Sequence, residues 1–325
     1  MPGTPDTPGT GPRWAVVDVG SHSVRLEVAD GAGAAPLPVH TAKWRLRLAH
    51  WVDKDGTLPR EAVDLLADAV TEAHAEARRL GAAELYAVAT AVVRHAPNRE
   101  QILETVRARS GVPLCVLDGR REAELTFLAA RRWMGWRAGP LAMLDIGGGS
   151  LEVAFGRTGL PDFATSAPLG AARMTRDHFG DQDPPPGHAL KSVRRETRHQ
   201  LRDVGARIRW ESPVATAATS RTFQQLARLC GAAPGRKGPF VQRVLDREDL
   251  AAAVKRLSRR TAAQRAKLPG ISAPRAAQSL AGAVVAHTAM DLLDLKTLTV
   301  CPWALREGLL LHRLESGERS GWIVL

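Results

Sequence analysis

The sequence predicts an α/β protein built from two related domains, and three observations carry that prediction. The first is an internal repeat: WAVVDVGSHSVRLEV begins at Trp14 and PLAMLDIGGGSLEVAF at Pro140. Setting Asp18 on Asp145 puts Gly20 on Gly147 and Ser23 on Ser150, a constant offset of 127 residues. The second is the alternation of strand-like apolar runs with helical patterns between and after the copies. The third is length, since 325 residues suffice for two domains with a core each. A repeat at domain spacing implies duplicated domains facing one another rather than a solenoid.

Each copy is an apolar run, an Asp, a small-residue turn and a second apolar run, which reads as a β-hairpin with an acid at the end of its first strand. After the first copy, Val63, Leu66, Val70, Ala73, Ala77 and Leu80 mark one face of a helix over 60–80 that Gly81 ends. Residues 84–90 read as a buried strand. Asn98 and Gln101 make a capping-box-like start to a helix running to Arg109. A strand follows over 113–117, and GRREAELTFLAARRWMG opens the helix leading into the second copy. Beyond that copy come a loop over 181–187, a basic helix over 188–209, a strand over 213–219 and a helix from Ser220. A basic loop over 233–239, helices filling 246–294, a strand over 298–303 and a final helix, ALREGLLLHRL, complete the chain.

Composition narrows the class. The first dozen residues, rich in Pro, Gly and Thr, read as a disordered lead-in and not a signal peptide. No apolar run approaches the roughly 18–20 residues of a membrane span. Cys115, Cys230 and Cys301 are odd in number and widely spaced, which suits reduced thiols in a cytoplasmic protein. The net charge is +11, and only seven of the 45 basic residues are lysine. Biased genomic composition would give this surplus, and so would selection for an acidic ligand. Aromatics at 5% and the lack of any zinc-finger or RNA-binding signature argue against nucleic acid.

The chemistry centres on Asp18 and Asp145. Each is followed by a turn (Gly20, Ser21, His22 and Ser23; Gly147, Gly148, Gly149 and Ser150) whose N–H groups suit phosphate oxygens. Two such acids across a cleft, with Glu152 nearby, are suitable oxygen ligands for Mg²⁺, through waters in the manner of phosphoryl-transfer sites. One Asp-x-Gly turn is an ordinary β-turn; a matched pair at this offset is not.

These residues carry a resemblance. The chain is similar, from Trp14 to about Leu314, to the exopolyphosphatase / guanosine pentaphosphate phosphohydrolase (Ppx/GppA) family, within the superfamily of actin, sugar kinases and heat-shock chaperone ATPases. The matching blocks are DVGSHS (18–23), ATAVVRHAPN (89–98), DGRREAELTF (118–127), LDIGGGSLEV (144–153), PLGAARMTR (168–176), ATSRTF (218–223) and CPWALREGLL (301–310). The likeness is strongest to the short, two-domain actinobacterial exopolyphosphatases. It implies two actin-like (ribonuclease H-like) domains, over 13–128 and 129–317, with an active-site cleft between them. The final helix, 303–314, would pack back toward the first domain, and 318–325 would be a tail.

The resemblance also implies roles. Glu122 aligns with the family's catalytic glutamate, the acceptor of the attacking water's proton, and Arg94 with a phosphate-contacting arginine. Ser220 and Arg221, after a strand and at a helix start, would face substrate or nucleotide phosphates. Arg194, Arg195, Arg198, Arg236 and Lys237 could guide a polyanion, although a solvated surface explains any one of them. The implied cofactor is Mg²⁺, or Mn²⁺ in its place. The implied partner is inorganic polyphosphate, with pppGpp, ppGpp, ADP or ATP as further substrates or regulators, no membrane, and room for a homodimer.

Three positions depart from the family pattern: His22 for a usual Asn, Arg121 for an acid and Leu151 for a common Thr. His22 would make its turn pH-sensitive. Arg120 and Arg121 would lower the pKa of Glu122. The leading expectation is exopolyphosphatase activity, ahead of pppGpp hydrolysis, a sugar or acetate kinase, and a non-catalytic alarmone or nucleotide sensor.

Overall fold

The computed structural model describes residues 11–31, 38–135, 138–317 and 319–325. The lead-in expected over 1–12 lies outside them except for its last two residues. The chain divides into two units, Met1–Asp118 with Arg306–Leu325, and Gly119–Leu305.

In the first unit, β1 (Arg13–Val19), β2 (Val24–Asp30) and β3 (Pro38–Trp44) form an antiparallel meander. A short α1 (Leu48–Trp51) follows, and then α2 (Arg60–Arg79) lays Ala62, Val63, Leu66, Val70, Ala73 and Ala77 on the sheet at helical spacing. β4 (Ala82–Ala89) runs parallel to β1 on its free edge. α3 (Ala91–Arg94) and α4 (Arg99–Ser110) lead to β5 (Cys115–Val116), parallel to β4. Trp14 to Val17 are buried in β1, as befits a central strand covered on both faces. The capping box at Asn98 does not form: its amide instead exchanges two hydrogen bonds with the backbone of Leu58, at 3.2 and 2.8 Å. Asn98 therefore ties the start of α4 to the loop before α2.

The second unit repeats this plan. It opens with α5 (Gly119–Met134), followed by β6 (Leu141–Ile146), β7 (Leu151–Gly156) and β8 (Phe163–Ala167), again antiparallel. All of α5 belongs here, packed on β6 to β9, so the boundary falls at Asp118 and not at 128. α6 (Ala171–Phe179), α7 (Gly187–Gln200) and α8 (Arg202–Glu211) precede β9 (Ala215–Thr219), which is parallel to β6. The single helix expected over 188–209 is thus two, joined at Leu201, where both ends meet in one buried leucine. α9 (Ser220–Leu229), β10 (Val244–Asp246), α10 (Arg247–Ser258), α11 (Ala262–Arg265), α12 (Ala276–Leu292) and β11 (Thr297–Val300) complete the unit. Its strand order, β8-β7-β6-β9-β11-β10, matches β3-β2-β1-β4-β5 of the first unit with one strand added.

The chain then returns to the first unit with α13 (Leu305–Ser316) and β12 (Trp322–Val324). The tail expected over 318–325 is in part a strand, antiparallel to β4 from Glu84 to Tyr86. β5 covers only the far end of β4, and β12 pairs the edge left open. Trp322 stacks on Tyr86 at 5.4 Å, and Arg313 forks onto Glu84 at 3.0 and 3.1 Å beneath the Trp14 ring.

None of the three cysteines is in a disulfide: Cys301 is buried, while Cys115 and Cys230 are half-buried. Among the described residues no helix is long and apolar enough to cross a membrane.

Candidate active site

Both units use the same device at the turn after their first strand. In the second unit the carbonyls of Gly147 and Gly148 accept from the N–H groups of Ala171, Ala172 and Arg173, each at 3.0 Å. They thereby cap the helix that follows the third strand. In the first unit the carbonyls of Ser21 and His22 accept from Ala49, Leu46 and Arg47 at 2.9 to 3.2 Å, again where a helix follows the third strand. Among the described residues, no backbone carbonyl takes up the N–H of Gly148 or Gly149. These donors remain for an anion.

Close packing makes the second turn possible. A Cβ on Gly170 would lie 2.3 Å from the backbone of Gly149, so only glycine lets α6 approach the turn.

A polar row crosses the second unit's sheet just below this turn. Strand register pairs Thr219 with Asp145, Asp145 with Glu152, and Glu152 with Ser166. The Thr219 hydroxyl donates a short hydrogen bond to Asp145 Oδ2, and Ser166 Oγ donates to Glu152 Oε1 at 2.8 Å. α5 packs over these strands and brings Glu122, in its first turn, within electrostatic reach of Glu152. Burial pushes the Glu152 carboxyl well above its ordinary range, and the charges of Glu122 and Asp145 push it further the same way. Thr219 and Ser166 carry no warning in the sequence beyond their place in strands that flank the repeat.

The remaining expected residues fall as follows. Ser150 is buried, and its hydroxyl is hydrogen-bonded to Glu152. Leu151 is fully buried in the core on the opposite face, so that departure from the family pattern is a packing position. Arg120 and Arg121 both pair with Glu124, at 3.0 and 3.4 Å. Ser220 adopts a left-handed backbone (φ 77°), and its hydroxyl is buried without a hydrogen-bond partner, as is that of Thr222. Such strain and unspent donors at a helix start suit an anionic oxygen. Arg221 is exposed beside a hollow of about 230 Å³ bounded by Gln224, Pro239, Arg243, Val300 and Pro302.

In the first unit, Asp18 closes β1 and burial raises its carboxyl, while Arg306 and Arg25 pull it down. Gly20 N–H donates to Ser23 O at 3.1 Å, and the buried His22 ring meets His50 edge-on at 6.1 Å. Arg94 Nη1 donates to the Leu117 carbonyl at 2.9 Å and borders a hollow of about 370 Å³ with Arg99 and Asp118.

This duplicated fold, with an acid and a glycine-bearing turn after the first strand of each unit, is that of the actin-like proteins. The profile of the Ppx/GppA phosphatase family matches residues 27–317, and the chain belongs to that family. It is 63% identical to an uncharacterized protein of Streptomyces coelicolor, over 94% of this chain and 91% of the relative. It is 45% identical to exopolyphosphatase 1 of Mycobacterium tuberculosis, over 94% and 89% of the two chains. An exopolyphosphatase of Cytophaga hutchinsonii shares the fold, with a TM-score of 0.84, 22% identity, and coverage of 94% of this chain and 98% of that one.

Proposed function

We propose that the chain is an exopolyphosphatase that removes terminal phosphate from inorganic polyphosphate, with Glu122 as the general base. The observation that carries this reading is the placement of Glu122, half-buried at the head of α5, within electrostatic reach of Glu152 in the polar row below the second glycine turn. Glu122 holds a water and takes its proton as the water oxygen attacks the terminal phosphorus in line. The P–O bond to the rest of the chain breaks, and the shortened polymer leaves with the bridging oxygen. The N–H groups of Gly148 and Gly149, with Ser220 and Arg221, hold phosphate oxygens as charge shifts onto them. Within the first unit, Gly20 to Ser23 and Arg94 are the groups suited to phosphate oxygens.

Asp145 and Glu152 also fit a divalent cation, because a cation would relieve the mutual repulsion of the acids around Glu152. Among the described residues no three His, Cys, Asp or Glu side chains converge as ligands. An ion held by one or two carboxylates and waters, as Mg²⁺ prefers, suits such a donor set. When bound, Mg²⁺ or Mn²⁺ would supply neutralisation of phosphoryl charge. Asp18, the matching acid before the first unit's turn, would be an oxygen ligand for a divalent cation by the same chemistry.

A second reading is hydrolysis of pppGpp. The hollow beside Arg221, lined by guanidinium, amide and proline groups, is of a size for a base. A 23% identical relative in Aeromonas hydrophila is named guanosine-5'-triphosphate,3'-diphosphate pyrophosphatase. Phosphate release from short and long polyphosphate, pppGpp and ATP, with and without Mg²⁺, distinguishes the readings. Release from polyphosphate is expected to dominate. Preference for pppGpp favours the second reading, and binding without release from any of them leaves only a sensor.

A further inference from the structure

Arg306 opens α13, and its side chain is 14% exposed. Its Nη1 lies 3.1 Å from Glu27 Oε2, its Nε 3.9 Å from Asp18 Oδ2, and its Nη2 3.9 Å from Glu307 Oε1. Strand register places Asp18 opposite Arg25 and Glu27 opposite Val16, so both carboxylates leave the sheet face away from α2. Arg25 also acts on both of them. One guanidinium therefore meets three carboxylates, two of them from the strands that flank the first turn.

Stability is a poor explanation for this cluster. Taking several charges out of water costs about as much as their attraction returns, and apolar side chains of equal volume often do as well. Glu27 is 1% exposed, and its Oε1 is buried with no hydrogen-bond partner, which adds a further cost. Geometry offers a better one. The planar fork of arginine lets one end grip Glu27 while Nε is presented to Asp18, the residue just before the Gly20 turn.

We propose that Arg306 is a positioning residue for hydrolysis: anchored on Glu27, it fixes the carboxylate of Asp18 at the mouth of the first turn. The inference rests on the reading of Asp18 given under the proposed function. It also gives a task to the block CPWALREGLL, which lies far from Asp18 in sequence.

The test is a double-mutant cycle read by steady-state polyphosphate hydrolysis and thermal melting. Arg306→Met is expected to lower kcat about 10-fold or more with KM little changed, within the coupling that contacting residues show. Arg306→Lys, which keeps the charge without the fork, recovers part of the loss. In an Asp18→Asn background, Arg306→Met should cost less than about 3-fold more, because its target has gone. Losses that multiply in the double variant overturn the inference, as does a loss that follows a fall in Tm and is not recovered by lysine. If Arg306→Met does not fold, the Arg306→Lys and Asp18→Asn cycle decides on the same terms. Full turnover by Asp18→Asn overturns the role of Asp18 itself. Loss by Asp18→Asn with full turnover by Arg306→Met overturns only this inference.

Discussion

Glu122 and Glu152 are both glutamates of the second unit, yet their surroundings give them opposite duties. Glu152 is 1% exposed and crowded by two other acids, which favours its neutral form. Glu122 is half-buried at a helix head and is the carboxylate that water can reach. Glu122→Gln keeps size and hydrogen bonding but removes the proton acceptor, so turnover should fall about 10²–10⁴-fold while polyphosphate binding holds or tightens. Asp145→Asn should lower turnover and also raise the Mg²⁺ concentration needed, read from activity against titrated Mg²⁺. Wild-type rates from Glu122→Gln would remove it as the base. Glu27 offers a separate measurement. Burial, then Glu307, raises its carboxyl from 4.5 to about 8. A raised acid keeps its proton in the folded state while the unfolded chain loses it. Its contribution is thus full below pH 4.5 and is lost as pH rises toward 8. The Tm of Glu27→Gln should fall less than that of wild type across this window; parallel curves would contradict the shift.

At the scale of elements, the turn and the helix that seals it are the functional unit. The 147–150 turn spends its carbonyls on α6, and this aims its donors elsewhere. Gly170→Ala would place a methyl 2.3 Å from the Gly149 backbone, so turn and helix must part. Overpacking of this kind costs about 1–3 kcal/mol. Calorimetry should show a lower Tm, and turnover should fall further than the Tm shift explains. An unchanged melt and rate would mean that the contact is slack. The hairpins, α2 and α5 could be read from sequence because periodicity and the acid–glycine pattern are local. The polar row could not: Thr219 and Ser166 reach Asp145 and Glu152 only through strand register.

For the whole molecule, part of the arginine surplus is structural. Arg243 donates to four backbone carbonyls, Arg265 pairs with Asp183, and Arg313 forks onto Glu84. Arg195, Arg236 and Lys237 are exposed and free to meet a polyanion's field. Binding of long polyphosphate should weaken steeply as KCl rises past 0.1 M, where the screening length is about 10 Å. Titration at several salt concentrations checks this, and salt-insensitive binding would favour a purely compositional origin for the charge.

The sequence alone determined the duplicated plan and the two acid-and-turn segments, because those signals are short, repeated and carried by neighbouring residues, while Glu122 as a candidate base came from the resemblance to the family. Tertiary structure decided what those residues touch. It placed Arg306 on Asp18 and Glu27, and it turned Ser150 toward Glu152. It put Leu151 in the core and made a strand of Trp322–Val324. In each case the physical reason is the same: a side chain's partner is set by sheet register, an open strand edge or a returning helix. Those join residues whose separation along the chain leaves no periodic trace.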